Sequence, residues 1–242
     1  MRVDIISDTI CPWCYVGKRR FERALASRVP TDAVEVVWWP FQLNPAMPAQ
    51  GMPRASYLSE RFGSAERAAE LYRQVAAAGR EEGISFAFER IGTTPNTLNS
   101  HRLIAFAGEA GRQNETVETL FRRYFEQGEN IGALDVLVDS AIEAGLDGDE
   151  VRRFLESDAA RDDITRGDAA ARQLGIHGVP CFIINARYAI SGAQAPEVFQ
   201  RVFGLSNDED ATTRERAELE SQGAQHFEGA ASAVKGRNPG GP

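Results

Sequence analysis

Residues 2–14, Arg-Val-Asp-Ile-Ile-Ser-Asp-Thr-Ile-Cys-Pro-Trp-Cys, decide the fold of this chain. The Val- and Ile-rich run Arg2–Ser7 predicts a short strand. Pro12 suits the first turn of a following helix, because its missing N–H would be unpaired there anyway. Apolar and small residues then recur near the helical period over Cys14–Arg28. A second strand is predicted over Ala33–Trp39, so the opening reads as a βαβ unit with a parallel strand pair.

The pair Cys11 and Cys14 carries the chemistry of this opening. In disulfide exchange the nucleophile is the thiolate. Cys11 lies where the predicted strand ends and the helix begins, where unpaired N–H groups and the helix dipole favour an anion. Cys14 lies one turn further on the same face and can resolve a mixed disulfide. Pro12 stiffens the turn, and Trp13 places apolar surface beside Cys11, so the motif predicts thiol–disulfide exchange.

The same motif could instead be half of a zinc site or two incidental thiols. A structural zinc site needs four ligands. The other Cys and His residues of the chain are not paired at ligand spacing: His101, His177, Cys181 and His226. A CxxC that opens a helix inside a βαβ pattern favours redox chemistry, so we expect no metal.

Composition excludes several other classes of protein. The chain has 242 residues and only three cysteines, which excludes a disulfide scaffold. Its net charge of −8 argues against a nucleic-acid or anionic-membrane partner. The longest apolar runs, Val36–Phe41 and Val179–Ile184, are far shorter than the ~20 residues that span a bilayer. The N-terminus has no apolar secretory segment, so we expect a cytoplasmic protein.

Strand signals occur at both ends of the sequence and are missing from its middle. Helical patterns, and no convincing strand, run from Arg54 to Gly175. Strand patterns return at Cys181–Asn185 and Tyr188–Ser191. We therefore expect an α/β fold in which residues 1–50 and 175–205 form one discontinuous domain that carries the strands. Residues 51–174 would form an inserted all-helical domain. Residues 206–242 would form a polar tail with a short helix at Glu215–Gln222 and a disordered end.

Further residues give this pattern a family resemblance. The strand–CPWC–helix opening together with Gly178-Val179-Pro180 resembles the thioredoxin superfamily, in its DsbA-like branch with a helical insertion. Three segments are also similar to the FrnE group of disulfide oxidoreductases: Asp8-Thr-Ile-Cys-Pro-Trp-Cys-Tyr-Val-Gly17, Pro95-Asn-Thr-Leu-Asn-Ser-His-Arg-Leu103 and Ser191-Gly-Ala-Gln-Ala-Pro-Glu-Val-Phe199. The resemblance extends over about residues 1–205, and it implies a thioredoxin fold with an inserted all-helical domain.

The resemblance also implies roles for single residues. Cys11 would be the nucleophile, Cys14 the resolving thiol and Pro180 a cis-proline. Val179 would offer backbone hydrogen bonds to an extended substrate, a known mode of peptide recognition. Three residues are candidate substrate contacts: Asn44, His101 and Gln194. For His101, at the start of a predicted helix, a packing or capping role is the favoured alternative.

Two alternatives to thiol–disulfide exchange stay open. The first is a glutathione-dependent isomerase or transferase, a function found on the same fold. Kappa-class glutathione transferases and 2-hydroxychromene-2-carboxylate isomerases usually have Ser in place of Cys11, and a Ser-Asp pair where this chain has Gly192-Ala193-Gln194. Both differences favour thiol–disulfide exchange over a glutathione-dependent isomerase or transferase. The second alternative function is a redox-gated, chaperone-like binding module. The sequence does not determine the oligomeric state.

Thiol–disulfide exchange, the favoured hypothesis, needs no metal or organic cofactor. Its partners would be protein or small-molecule disulfides and thiols, and a cellular thiol reductant. Glutathione is a candidate co-substrate.

Two further residues complete the set of candidates. Asp8 could cap the helix or accept a proton from a thiol, and a structural role is favoured. Cys181 is expected to be a core thiol that points away from the CxxC, because free Cys is among the most buried residue types. The alternative for Cys181 is a third redox partner. The polar tail holds no cysteine, which excludes an electron relay through it.

Overall fold

A computed structural model describes residues 1–27 and 33–206. Residues Met1–Gln200 form one compact unit, and the described residues beyond it, 201–206, are helical. The predicted tail helix Glu215–Gln222 and the predicted disordered end lie outside the described residues. None of the helices in residues 1–27 and 33–206 combines the length and the hydropathy that a membrane-spanning segment needs.

In the part of the chain that the structure describes, the strands form a four-stranded and a two-stranded sheet. In chain order they are β1 (Arg2–Ser7), β2 (Glu35–Pro40), β3 (Met52–Pro53), β4 (Thr93–Thr94), β5 (Cys181–Ile184) and β6 (Tyr188–Ser191). The larger sheet has the order β2-β1-β5-β6. Strands β1 and β2 are parallel, whereas β5 is antiparallel to β1 and β6 is antiparallel to β5. The predicted parallel βαβ opening is therefore confirmed.

The helices connect and cover these strands. They are α1 (Pro12–Ala26), α2 (Arg54–Phe62), α3 (Ala65–Glu81), α4 (Leu98–Glu109), α5 (Gln113–Arg122), α6 (Leu134–Glu143), α7 (Gly148–Glu156) and α8 (Arg161–Gln173). Two shorter helical turns occur at Phe88–Arg90 (3₁₀) and Arg123–Gln127 (π), and residues 196–200 are also helical. The α/β fold class with helices inserted between β2 and β5 is confirmed. The domain limits at 50, 51, 174 and 175 stay a prediction.

Two expectations about the middle of the chain were wrong. A strand, Thr93–Thr94, pairs with Met52–Pro53, although we expected no strand after Arg54. Two residues are too few to show the alternation by which a strand is recognised in sequence. The helical pattern Glu115–Gln127 predicts one continuous helix, whereas the α-helix changes to a π-helix at Arg123.

The sheet carries a different core on each face. On the α1 face, Phe21, Phe182 and Phe199 pack with ring centroids 4.8–5.8 Å apart. On the opposite face, Cys181 packs in one buried cluster with Ile6, Phe41 and Ala171 of α8. Successive side chains of a strand point to opposite faces, so Cys181 and Phe182 belong to different cores. The expected burial of Cys181, away from α1, is confirmed.

Candidate active site around the CxxC pair

The CxxC pair lies at the junction of β1 and α1. Cys11 is the N-cap residue of the 15-residue helix α1, with extended backbone, and Pro12 follows in its first turn. The Cys11 N–H donates to the carbonyl of Asp8 at 3.0 Å, and the Cys14 N–H donates to the carbonyl of Cys11 at 3.0 Å. These two bonds close the turn that holds the Cys11 thiol at the N-terminal end of the helix, which is the positive end of the helix dipole.

The loop before β5 lies directly against this turn. The Cys11 thiol donates to the carbonyl oxygen of Val179 at 3.5 Å. The peptide bond between Val179 and Pro180 is cis, in agreement with the geometry that the resemblance implies. A Cβ atom at Gly17 would lie 2.9 Å from Cγ of Pro180, so α1 approaches the proline closely only because this residue is glycine. The fold thus brings Cys11, Val179 and Pro180 together.

The two thiols of the pair have different surroundings. Cys11 is 5% exposed and Cys14 is 1% exposed. Burial is the main cause that raises the pKa of the Cys14 thiol well above its ordinary value, and the neighbouring Cys11 thiol raises it further. The Ser7 hydroxyl and the Asp8 backbone act in the opposite direction. In the described part of the chain all three cysteines, including Cys181, are free thiols.

The raised pKa of Cys14 predicts a pH-dependent stability of the reduced protein. Above about pH 9, the ordinary thiol pKa, unfolded Cys14 loses its proton while folded Cys14 keeps it. The unfolded state then binds fewer protons, so this group's stabilisation is present below pH 9 and is lost as pH rises, at about 1.4 kcal/mol per pH unit. Urea unfolding of the reduced protein at pH 8–10 measures it.

The matched control for this measurement is reduced Cys14→Ala. This variant keeps the other groups that ionise at high pH. The difference between the two proteins in the slope of unfolding free energy against pH is therefore due to Cys14. Equal slopes for the two reduced proteins would contradict the assignment of a raised pKa to this thiol.

Trp13 is the apolar surface beside the pair. Its side chain is 38% exposed although it lies between two buried cysteines in sequence. A large, partly exposed indole next to a nucleophile offers contact area to an apolar or unfolded substrate. This placement agrees with the apolar surface that the sequence predicts beside Cys11.

Asp8 does not cap α1, contrary to one expectation. Among the described residues no side chain caps the N–H groups of this helix. The Asp8 carboxylate instead turns inward, where Oδ2 accepts the backbone N–H of Leu43 at 2.7 Å. Its Oδ1 lies 3.4 Å from Nε2 of His101, and both side chains are buried. Asp8 thus joins the β1–α1 turn to the loop after β2. This contact is distant in sequence, so the position of Asp8 three residues before Cys11 does not predict it.

The three candidate substrate contacts occupy different places. His101 lies in α4 and is buried beside Asp8, as in the packing alternative. Asn44 donates from Nδ2 to the Tyr57 hydroxyl at 3.2 Å. Gln194 is exposed. The turn after β6, in which it lies, adjoins the loop that contains Pro180, because the Gly192 N–H donates to the carbonyl of Pro180 at 2.8 Å.

One buried cation near this region was not predicted. Arg54 is the first residue of α2, and its guanidinium donates to hydroxyls of Tyr72, Thr94 and Tyr124. These partners are up to 70 residues away in sequence, so no local pattern links them. Within residues 1–27 and 33–206, no group of three or more His, Cys, Asp or Glu side chains is arranged to hold a metal.

The fold and the CxxC turn define a thioredoxin-fold protein with a helical insertion. The family model for the DSBA-like thioredoxin domain matches residues 2–204. The chain therefore belongs to the DsbA-like thioredoxin family, and its class is that of oxidoreductases.

Three similar proteins illustrate this membership. The chain is 36% identical to the probable DsbA oxidoreductase SCO1869 from Streptomyces coelicolor, with a TM-score of 0.80 over 86% of this chain and 91% of that one. It is 28% identical to the protein YwbO of Bacillus subtilis (strain 168), covering 84% of this chain and 96% of YwbO. At fold level it is similar to the cytosolic disulfide reductase DsbM from Pseudomonas aeruginosa with GSH (16% identity, TM-score 0.61, 86% and 100% coverage).

Proposed function

We propose that this protein is a thiol–disulfide oxidoreductase in which Cys11 is the nucleophile and Cys14 the resolving thiol. The observation that carries the proposal is the position of the free Cys11 thiol, at the N-cap of α1 and 3.5 Å from the Val179 carbonyl. A thiol in this position gains from the helix dipole as a thiolate, and a second thiol lies one turn away. No metal or organic cofactor enters this chemistry.

The reaction consists of two exchanges. The Cys11 thiolate attacks one sulfur of a substrate disulfide; the Cys11–substrate S–S bond forms, and the other substrate sulfur leaves as a thiolate that takes up a proton. Cys14 then gives up its proton and attacks the Cys11 sulfur, which releases the second substrate thiol. The substrate gains two electrons, and the protein is left with a Cys11–Cys14 disulfide. Two molecules of a thiol such as glutathione restore the reduced pair.

The surroundings of Cys11 suit protein as well as small disulfides. In this proposal the backbone of Val179, which lies beside Cys11, pairs with an extended substrate chain as an added strand pairs with a sheet edge. The exposed face of Trp13 adds apolar contact area beside it. Pro12 and Pro180 hold the two loops that form this surface, while Gln194 lies on the turn next to Pro180.

We place the protein in the cytoplasm, among FrnE-like enzymes, with glutathione as its reducing co-substrate. The similarity to DsbM, which is described as a cytosolic disulfide reductase and was solved with GSH, supports this setting at the level of the fold. The net direction, whether reduction, oxidation or isomerisation, follows from the reduction potential of the pair, where ~30 mV corresponds to about 1.4 kcal/mol.

Turnover of insulin disulfides with glutathione as reductant tests this function. We expect catalysis by the wild type and background rates after Cys11→Ser. Activity that survives Cys14→Ala would favour a glutathione-dependent isomerase or transferase instead. Client holding that survives replacement of both thiols would favour a chaperone-like binding module.

A further inference from the structure

A cavity lies along β2, which is an edge strand of the larger sheet. Its volume is about 260 Å³, and its walls come from β2, the end of β1 and the inserted helices α4, α5 and α8. Most of the lining side chains are apolar, and the polar ones include those of Ser7, Thr9, Trp38, His101 and Asp163. Asp163 is exposed, so the cavity opens to solvent there.

Two residues of the cavity wall carry a buried nitrogen that has no hydrogen bond in the described part of the chain. They are Trp38, through Nε1, and His101, through Nε2, and both side chains are more than nine-tenths buried. Buried polar atoms are normally paired with protein groups or with water. The cavity has room for several water molecules, and these polar atoms favour water as its content.

Asp8 and His101 are arranged to hold one more proton. Oδ1 of Asp8 also lacks a hydrogen bond within the described residues, and it faces Nε2 of His101 at 3.4 Å. A proton on Nε2 makes the imidazole a cation beside this carboxylate, so that each atom gains the partner that it lacks. The adjacent hydroxyls of Thr9 and Ser100, 2.7 Å apart, hold α4 against the β1–α1 turn.

The charges around His101 are compatible with a proton on the imidazole. Asp8 of the β1–α1 turn is in direct contact with it. Asp163 of α8 lines the same cavity and pairs with Arg166 at the surface. Arg102, the next residue of α4, directs its guanidinium to carbonyl oxygens of α7. The carboxylate of Asp8 therefore favours a positive imidazole.

Cys14 has to lose a proton in a place without direct access to solvent. Its side chain is buried, and burial raises the pKa of its thiol, so the proton stays on the sulfur at neutral pH until the thiol attacks. A hydrogen bond with the Ser7 hydroxyl acts against this raised pKa, so the two groups are in contact. Ser7 also lines the cavity and thus connects the resolving thiol to it.

We propose that His101 accepts the proton of Cys14 in the resolving step, and that the Ser7 hydroxyl and water in the cavity carry this proton to Nε2. The inference rests on the proposed function and deepens it, because it assigns the acceptor that the second exchange requires. His101 acts through Ser7 and water and does not touch the sulfur. The inserted helix α4 thereby takes part in the redox reaction.

The proton transfer accompanies one bond exchange. Cys14 attacks the Cys11 sulfur of the mixed disulfide; the Cys11–Cys14 bond forms, and the bond between Cys11 and the substrate sulfur breaks. The substrate sulfur leaves with the electron pair of that bond and takes a proton from solvent. The Cys14 proton moves to His101 and then leaves through the opening at Asp163. Over both exchanges the two cysteines lose two electrons, and the substrate disulfide gains them.

Rapid mixing of the reduced protein with excess hydroxyethyl disulfide separates the two exchanges. After acid quenching, intact-protein mass spectrometry follows the formation of the Cys11 adduct and its resolution to the intramolecular disulfide. His101→Gln should form the adduct within about twofold of the wild-type rate and resolve it about tenfold or more slowly. The matched control, His177→Gln at an exposed histidine, should change neither rate by more than about twofold.

The pH dependence of resolution distinguishes a lost proton acceptor from a structural change. In His101→Gln the Cys14 proton must first pass to solvent, so the resolution rate should follow the thiolate fraction and rise about tenfold per pH unit over about pH 7–9. The wild type should show a smaller slope, because the protein itself supplies the acceptor. Equal slopes in the two proteins would contradict the assignment.

Ser7→Ala keeps the inference falsifiable if His101→Gln does not fold. This variant removes the hydroxyl that joins Cys14 to the cavity, and it should slow resolution about threefold or more without changing adduct formation. Wild-type resolution in either variant, or equal slowing of formation and resolution in His101→Gln, would overturn the inference. A wild type that forms neither the adduct nor the intramolecular disulfide would instead overturn the proposed function.

Discussion

Cys11→Ser should reduce insulin-disulfide turnover more than about 100-fold, to the uncatalysed background. A serine hydroxyl cannot form a disulfide bond with a substrate sulfur, so the first exchange is lost. The substitution removes one thiol and leaves the turn intact, because the backbone bonds of Cys11 to Asp8 and Cys14 do not involve the side chain. Insulin precipitation or the consumption of glutathione measures the rate.

The matched control for this variant is Cys181→Ser. Cys181 is also buried, but it lies in the core on the opposite face of the sheet from α1. We expect turnover within about twofold of the wild type, with some loss of stability from a buried hydroxyl. If Cys11→Ser turned over insulin disulfides at the wild-type rate, the role of Cys11 would be contradicted. If Cys181→Ser lost this turnover, Cys181 would be a third redox partner.

Cys14→Ser should trap the protein as a mixed disulfide with its substrate. Cys11 can still attack, but no second thiol one turn away can displace the bound sulfur. Addition of glutathione disulfide should therefore convert nearly all of this variant to a Cys11 adduct, whereas the wild type proceeds to the intramolecular disulfide. Intact-protein mass spectrometry after acid quenching distinguishes the two products.

The location of the adduct decides what the trapped species means. Peptide mapping should place it on Cys11 and leave Cys181 free. An adduct on Cys181, or no adduct at all, would contradict the order of attack that the structure suggests. The double variant with Cys11→Ser and Cys14→Ser should remain unmodified.

Local sequence was enough for the parts of the fold that local rules govern. The strand–turn–helix opening depends on Val and Ile alternation, on Pro12 in the first helical turn and on the spacing of Cys11 and Cys14, all within 14 residues. The long, periodic helices between β2 and β5 were predicted for the same reason. Val179 and Pro180 could be joined to Cys11 only through the family resemblance, since 168 residues separate the contacting pair.

Features that depend on contacts distant in sequence were missed or misassigned. The position of Asp8 before a helix favours a structural role such as capping, whereas its buried carboxylate contacts Leu43 and His101 instead. The two-residue strand Thr93–Thr94 exists only because Met52–Pro53 lies beside it. Arg54 belongs to a cluster drawn from four separate segments, because its partners are Tyr72, Thr94 and Tyr124.

Disulfide mapping in glutathione redox buffers tests the central claim most directly. The protein is equilibrated over a range of reduced to oxidised glutathione, quenched by acid and alkylated, and its disulfides are mapped by mass spectrometry. The account predicts one cooperative two-electron transition to a Cys11–Cys14 disulfide, with Cys181 alkylated throughout. The account would be contradicted if Cys11 and Cys14 were alkylated, and therefore free thiols, at every ratio of reduced to oxidised glutathione. A disulfide that includes Cys181 would also contradict it.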